Sequence, residues 1–284
     1  MARIPVQSVL NKRPSPWVIA LGSLVIVAFF GFPYALMFVT SLKSRLEVTD
    51  IPPAYFPSRP HFENYVNVWS SEVNPAASLL STVVIAGGAT LLVLLVATPA
   101  AYYVARFRFP GRMVFLLLVL ITQMLQPTVL AVGLFQEFKG WQGYAVWGAL
   151  ILINAAFNLS FAIWIMQAFF ASVPKEIDEA ALIDGLGRMQ TMFRISLPLV
   201  WPGIVTAIVF VFVNSWNEYA AALILVQQTE LQPLTVSMPR FLGLYIQDWQ
   251  YLFTVALIAI VPVIILFSII ERRLIGGLTA GSVK

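Results

Sequence analysis

Glu218 is the one carboxylate that falls inside an apolar run of the chain; the other twelve of its 13 acids lie in polar stretches or beside the ends of such runs. At the centre of a lipid-facing helix a carboxylate costs ~2.5–3.5 kcal/mol on insertion scales, so Glu218 is expected to face protein or water. Amides gather around it at helical spacing. Asn214, Asn217 and Glu218 are separated by three and four positions, Asn154 and Asn158 by four, and Gln123 and Gln126 by three, so each set shares one helix face. With Trp216 and Tyr219 close by, these uncharged groups suit a hydroxyl-rich solute: amides replace the hydrogen bonds of water and ring faces cover the apolar face of a sugar. Asn and Gln also join helices inside membranes, at ~0.6–2 kcal/mol per contact, so lining a path and packing both stay open for each of them, as does a structural hydrogen bond for Glu218.

Other chemistries lack their residues. His61 is the single histidine and there is no cysteine, which leaves a zinc site without a ligand set and excludes a thiol nucleophile or a disulfide framework. No Gly-Lys pair occurs, so the phosphate-cradling G-x-x-x-x-G-K-[ST] loop is missing from this chain. A membrane-embedded hydrolase would need a nucleophile with a base, or paired acids, at one depth, and one buried carboxylate does not supply that. A proton-coupled secondary transporter remains a rival, with Glu218 as the carrier.

The elements that must position these residues are membrane helices. Of 284 residues, 60% are hydrophobic and 11% charged, with a mean hydropathy of +0.85, far from a soluble domain. Six apolar runs of spanning length occupy about 17–39, 78–105, 113–135, 144–170, 201–226 and 251–270. The first follows Arg3, Lys12 and Arg13 as a signal peptide would, but is too long for an h-region and lacks a small-residue cleavage site. Alternation with period two is absent, which argues against a barrel. The expected fold is all-α: a polytopic membrane protein with six transmembrane helices. Pro99, Pro127, Pro198, Pro202 and Pro262 lie within or at the ends of these runs and predict kinks or breaks.

Net charge is +4 and the pI about 9.4, a balance that raises nucleic acid as a partner until the charges are placed. Twelve of the 17 Lys and Arg fall on one side of the six runs and five on the other. By the positive-inside rule both termini are then cytoplasmic, and no nucleic-acid partner is called for. Segment 40–77 falls outside, with five prolines that forbid a long helix and aromatics suited to an interface.

Between the fourth and fifth runs, residues 172–198 read SVPKEIDEAALIDGLGRMQTMFRISLP. Ser172 or Val173 suits an N-cap, Pro174 the first turn, and Glu176, Asp178 and Glu179 complement the positive end of the helix dipole. Gly185 is placed to stop the helix in a left-handed conformation. Ile177, Ala180, Ala181 and Asp184 recur at three and four residues and share a face. Two turns of helix are not stable alone, so a surface must pack on them. Interfacial helices carry basic faces and this one begins with three acids, which favours a protein over lipid.

Glu179-Ala180-Ala181, three residues, Gly185, nine residues, then Ile195, one residue, and Leu197-Pro198 resemble the EAA loop of permease subunits in ATP-binding-cassette importers, matching at every fixed position. Asn214-Ser215-Trp216-Asn217-Glu218-Tyr219 resembles the W-N-E element of the carbohydrate permeases, and Gly277 to Lys284 resembles their C-terminal tail, without its terminal glycine. Tyr102-Tyr103-Val104-Ala105-Arg106-Phe107 and Phe109-Pro110-Gly111 extend the likeness over most of the chain.

The resemblance implies the type I importer (MetI-like) permease fold, with a cytoplasmic segment 1–16, the first helix and outer loop 17–77, the transmembrane domain 78–271 containing the coupling loop 172–198, and a cytoplasmic tail 272–284. It further implies that Glu179, Ala180, Ala181, Asp184 and Gly185 dock on an ATPase subunit, with Arg188 and Arg194 as neighbours. The implied assembly has a second permease, two ATPases that bind the ATP and Mg this chain does not, and an extracytoplasmic solute-binding protein. The implied cargo is a di- or oligosaccharide of the maltose or trehalose kind. A permease for glycerol phosphate or polyols would look much alike, although a phosphorylated solute would invite Lys or Arg inside the runs, and none is there.

Overall fold

The computed structural model describes residues 15–52, 54–124, 127–243 and 247–279, with backbone alone for 127–132 and 271–279. Helix is the regular structure throughout, and no strand forms among the described residues. The first half runs α1 (Pro16–Ser41), α2 (Arg45–Thr49), α3 (Asn64–Asn67), α4 (Pro75–Arg106), α5 (Arg112–Gln123) and α6 (Pro127–Phe138). The second runs α7 (Ala145–Ser172), α8 (Lys175–Ile183), α9 (Arg188–Thr191), a π-helical turn Met192–Ser196, α10 (Leu197–Leu199), α11 (Trp201–Trp216), α12 (Ala220–Leu225), α13 (Leu234–Ser237) and α14 (Trp249–Thr279).

Among the described residues, four helices are long and apolar enough to cross a membrane unaided: α1, α4, α7 and the Trp249–Ile270 part of α14. The first three, of 26, 32 and 28 residues, extend about 39, 48 and 42 Å at 1.5 Å per residue, more than a ~30 Å hydrocarbon core requires. The third and fifth expected crossings are not single helices; a break at Pro127 is among those the prolines predict, whereas the stop at Trp216 is not. In place of 113–135 stand α5 and α6, each 12 residues long and so about 18 Å. Pro127 opens α6, and a proline biases the residue before it away from the α region. In place of 201–226, α11 stops at Trp216 and α12 begins at Ala220. Pro33, Pro99 and Pro262 lie inside α1, α4 and α14, which continue through them without a break. The boundary expected at residue 271 falls inside α14, while most of the N-terminal segment and 280–284 lie outside the described residues.

Small side chains explain how the central helices meet. α4 and α7 pack most extensively, with Ala86, Ala89, Ala97, Ala101, Ala149 and Ala162 fully buried, the residue size that lets membrane helices approach closely. A methyl group added at Gly203 of α11 would lie 2.4 Å from Phe169 Cγ of α7. One apolar core joins α4, α7 and α11 and runs on to Phe170 and Met192 at the end where the 172–200 connection lies. α1 stands outside it, with no part of its apolar window buried.

At the opposite end, the proline-rich stretch forms short helices, as its composition predicts. Ser44 and Glu47 make a capping box on α2. The Glu47 carboxyl is held down to about 2, chiefly by the Ser58 hydroxyl and then by the backbone N–H groups of Ser44 and Ser58. Asn64 donates to the carbonyls of Ser41 and Lys43 at 2.8 and 3.0 Å, tying α3 back to the end of α1.

Candidate coupling loop and solute path

Helix, stop and second helical piece follow one another between α7 and α11 as the residues predict. The start differs by one or two positions: α7 reaches Ser172, so Val173 caps that helix and Pro174 becomes the N-cap of α8. The stop is a Schellman motif: Gly185 sits at φ +85, its N–H donates to Leu182 O, and Leu186 N–H donates to Ala181 O. The second piece contains five residues in π geometry and then bends by 82° into α11. Single π turns recur at functional sites in helices.

α8 has two distinct faces. Outward lie Glu176, Glu179, Ala180, Leu182, Asp184 and above all Ile183, which is 87% exposed. Inward lie Asp178 and Ala181, 7% and 6% exposed. Successive residues are 100° apart on a helix, so the two alanines grouped together by spacing part company: Ala180 stays on the surface and Ala181 packs on the bundle. Arg188 reaches across to Phe107, its guanidinium 4.9 Å from the ring centre, and Arg194 is exposed.

The buried face carries chemistry that spacing did not reveal. Arg106 Nε of α4 lies 2.7 Å from Asp178 Oδ2, with the two side chains 5% and 10% exposed. The Nε–H bond is not aligned for a hydrogen bond, so the contact is chiefly one of charge. Tyr102 Oη donates to the same oxygen at 3.1 Å, and Ser196 Oγ of the π turn donates to Oδ1 at 2.6 Å. Arg106 Nη1 donates in turn to Val173 O at 2.7 Å, the carbonyl that follows α7. By its place in the first turn of α8, Asp178 is predicted only to complement the helix dipole. The available signal was an acid three residues from a small residue, on a short helix that has to pack on something.

The expected path residues separate into groups. Asn154 and Asn158 are 3% and 8% exposed inside the bundle, and donate to Leu150 O and Asn154 O one turn back in their own helix. As placed, both are buried in the bundle. Trp216, Asn217 and Tyr219 come together with Tyr34, Thr235 and Met238 around a cleft of about 660 Å³. Trp216 itself is buried and stacks on Phe212. Asn214 opens onto a separate, more apolar cleft between α7, α11 and α14. Gln123 is exposed at the end of α5, and Gln126 lies outside the described residues. Both oxygens of Glu218 are engaged, accepting from the N–H groups of Ala221 at 2.7 Å and Ala222 at 3.1 Å. Glu218 thus satisfies the orphan donors that the broken span creates at the start of α12. His61 meets Glu63 at 2.7 Å, and no group of metal-binding side chains exists among the described residues.

The chain is 32% identical over 253 residues to the sulfoquinovosyl glycerol transport system permease protein SmoH of Agrobacterium fabrum, covering 89% of this chain and 88% of that one. It is 29% identical over 272 residues to the trehalose/maltose transport system permease protein MalG of Thermococcus litoralis, covering 94% and 96%. The fold superposes on a crystal structure of a bacterial ABC transporter involved in the import of the acidic polysaccharide alginate, with a TM-score of 0.74 at 19% identity over 96% of this chain and 99% of that one. Residues 94–278 match the family described as binding-protein-dependent transport system inner membrane component. This match over most of the chain, with the relatives above, places it in one class: it belongs to the binding-protein-dependent inner-membrane components, the permease subunits of ATP-binding-cassette importers.

Proposed function

We propose that the chain forms half of the translocation path of a sugar importer and is driven through α8 by an ATPase subunit. The observation that carries this reading is the outward face of α8, where Ile183 is 87% exposed between Glu179 and Asp184 on a helix too short to stand alone. An exposed isoleucine ringed by acids fits a protein cleft better than an anionic lipid surface. ATP and Mg then act on the partner, and their free energy reaches this chain only through that contact, by as much as their differential affinity for the inward and outward states. Glu179, Ala180, Asp184 and Gly185 form or terminate the docking surface, with Arg188 and Arg194 at its edge.

The solute meets Trp216, Asn217 and Tyr219, whose cleft joins ring faces to an amide and the Thr235 hydroxyl. The cargo in this reading is a di- or oligosaccharide of the maltose or trehalose type, handed over at the outer face by a solute-binding protein, with a second permease closing the other side of the path. Both termini are cytoplasmic. A proton-coupled carrier finds no support in Glu218, whose oxygens are both occupied in capping α12.

The test uses the membrane complex purified in mild detergent. Ile183→Glu or Glu179→Lys lowers the amount of ATPase subunit that co-purifies and cuts ATP-dependent sugar uptake about tenfold or more, with insertion unchanged. Undiminished uptake in both variants sinks the docking assignment.

A further inference from the structure

Four elements converge on one carboxylate. Asp178 belongs to α8; its Oδ2 is held by Tyr102 and Arg106, one turn apart on α4; its Oδ1 is held by Ser196 in the π turn that leads into α11; and Arg106 continues to Val173 O at the end of α7. We propose that Asp178 and Arg106 form the rigid joint that converts displacement of α8 into displacement of α4, α7 and α11 together. This rests on the docking of α8 just described and assigns the two residues as positioning residues behind it.

The physical case begins with what a buried ion pair is poor at. Desolvating two charges offsets most of their attraction, so well-packed apolar residues of the same volume would hold α8 at least as firmly. Directionality is what the cluster around the pair adds, through the hydroxyls of Tyr102 and Ser196 on the carboxylate and the Arg106 bond to Val173 O. Apolar contact such as that of Ala181 on the bundle resists separation but tolerates sliding, whereas a carboxylate held from three sides resists both. Ser196 reaches Asp178 from a π-helical turn, so the local helix geometry is compatible with an irregular register at the residue that completes the joint. The joint also closes the end of the apolar core shared by α4, α7 and α11, since Tyr102, Phe170 and Met192 belong to that core and Tyr102 meets Phe170 edge to face at 5.5 Å. A push on α8 therefore arrives at three packed helices at one point. A joint that gives way would let α8 move while the bundle stays behind, and hydrolysis would continue without transport.

The experiment measures coupling rather than activity alone, in the full complex reconstituted in liposomes. Asp178→Asn keeps the shape and removes the charge; Arg106→Lys keeps the charge and removes the fork, so one variant remains informative if the other folds poorly. The chain has no cysteine of its own, so once any cysteines of the partner subunits are replaced, spin labels at Glu176→Cys on the exposed face of α8 and Arg108→Cys just beyond α4 report one distance. With the joint intact that distance stays narrow in both the nucleotide-free and the ATP-trapped states. In either joint variant it broadens, and sugar moved per ATP hydrolysed falls about tenfold. The proposal is overturned if uptake and hydrolysis fall in proportion, or if the distance stays narrow and the ratio is unchanged. Ile183→Glu separates the two readings: if the ATPase still co-purifies and uptake is normal there, it is the docking of α8 that has failed and not the joint.

Discussion

At Asp178 and Arg106 the cost of error is one-sided. The pair is almost wholly buried, and removing one partner of such a pair leaves a charge with neither water nor counter-ion, typically about 3–5 kcal/mol. Asp178→Ala is therefore expected to lower the melting temperature of the detergent-purified complex clearly, and to do so more than Asp178→Asn, which still accepts from Ser196. Equal melting temperatures for the two, both of which lack the charge, would mean that the Ser196 hydrogen bond adds nothing beyond it. Glu218 illustrates the same one-sidedness with a different solution. An acid at the break of a span satisfies two backbone N–H groups that no neighbouring turn reaches, which places it as a helix cap where its isolation in an apolar run first drew attention as a carrier.

Among the elements, α8 is defined by how it ends. Gly185 occupies φ +85, a region in which a side chain costs about 1–2 kcal/mol, and nothing lies within 4 Å of the position its Cβ would take. Gly185→Val is thus penalised by backbone strain and not by collision. It is expected to fray the Schellman turn and speed tryptic cleavage at Arg188, while Gly187→Ala, at φ −73, leaves the cleavage rate near that of the unaltered chain. The broken crossings follow a similar logic. A span that stops at Trp216 exposes orphan backbone groups, which is tolerable at membrane depth only where protein or a polar cavity supplies partners. Glu218 supplies them, and the Thr235 hydroxyl donates to Glu218 O at 2.7 Å.

For the whole molecule, close packing holds the α4, α7 and α11 core together, and it depends on residues without side chains. At Gly203 an added Cβ would fall 2.4 Å from Phe169 Cγ and 2.7 Å from its Cβ, atoms close to the backbone that cannot swing aside. Gly203→Ala is expected to cost about 1–3 kcal/mol, read as a lower melting temperature. Gly88→Ala meets chiefly the far end of Ile151, whose Cδ1 lies at 2.6 Å, and should cost less because that side chain can rotate. The outer surface is as informative as the core. Trp17, Leu21, Phe29 and Phe32 of α1 are all more than half exposed, the apolar surface expected of an inner-membrane component.

Much of this protein was legible in its residues because the signals are local. Apolar runs of spanning length located the membrane helices, and an acidic first turn with Gly185 past the end delimited α8, since helix periodicity and the left-handed preference of glycine act within a few residues. The end of α5 at Gln123 and the break at 217–219 were only half legible: Pro127 announced the first, but the cap that allows the second is apparent only once Glu218 is seen against the backbone of Ala221 and Ala222. The amides show the limit of pattern alone. Asn154 with Asn158, and Asn214 with Asn217, share a face equally well by spacing, yet packing turned the first pair into the bundle and left the second exposed, because the direction of a helix face is set by its neighbours. The joint lay furthest out of reach. Asp178 and Arg106 are 72 positions apart, and no periodicity along one helix indicates which charge on another will be brought against it; that is decided only when α4 and α7 pack on their alanines and carry the α8 connection with them.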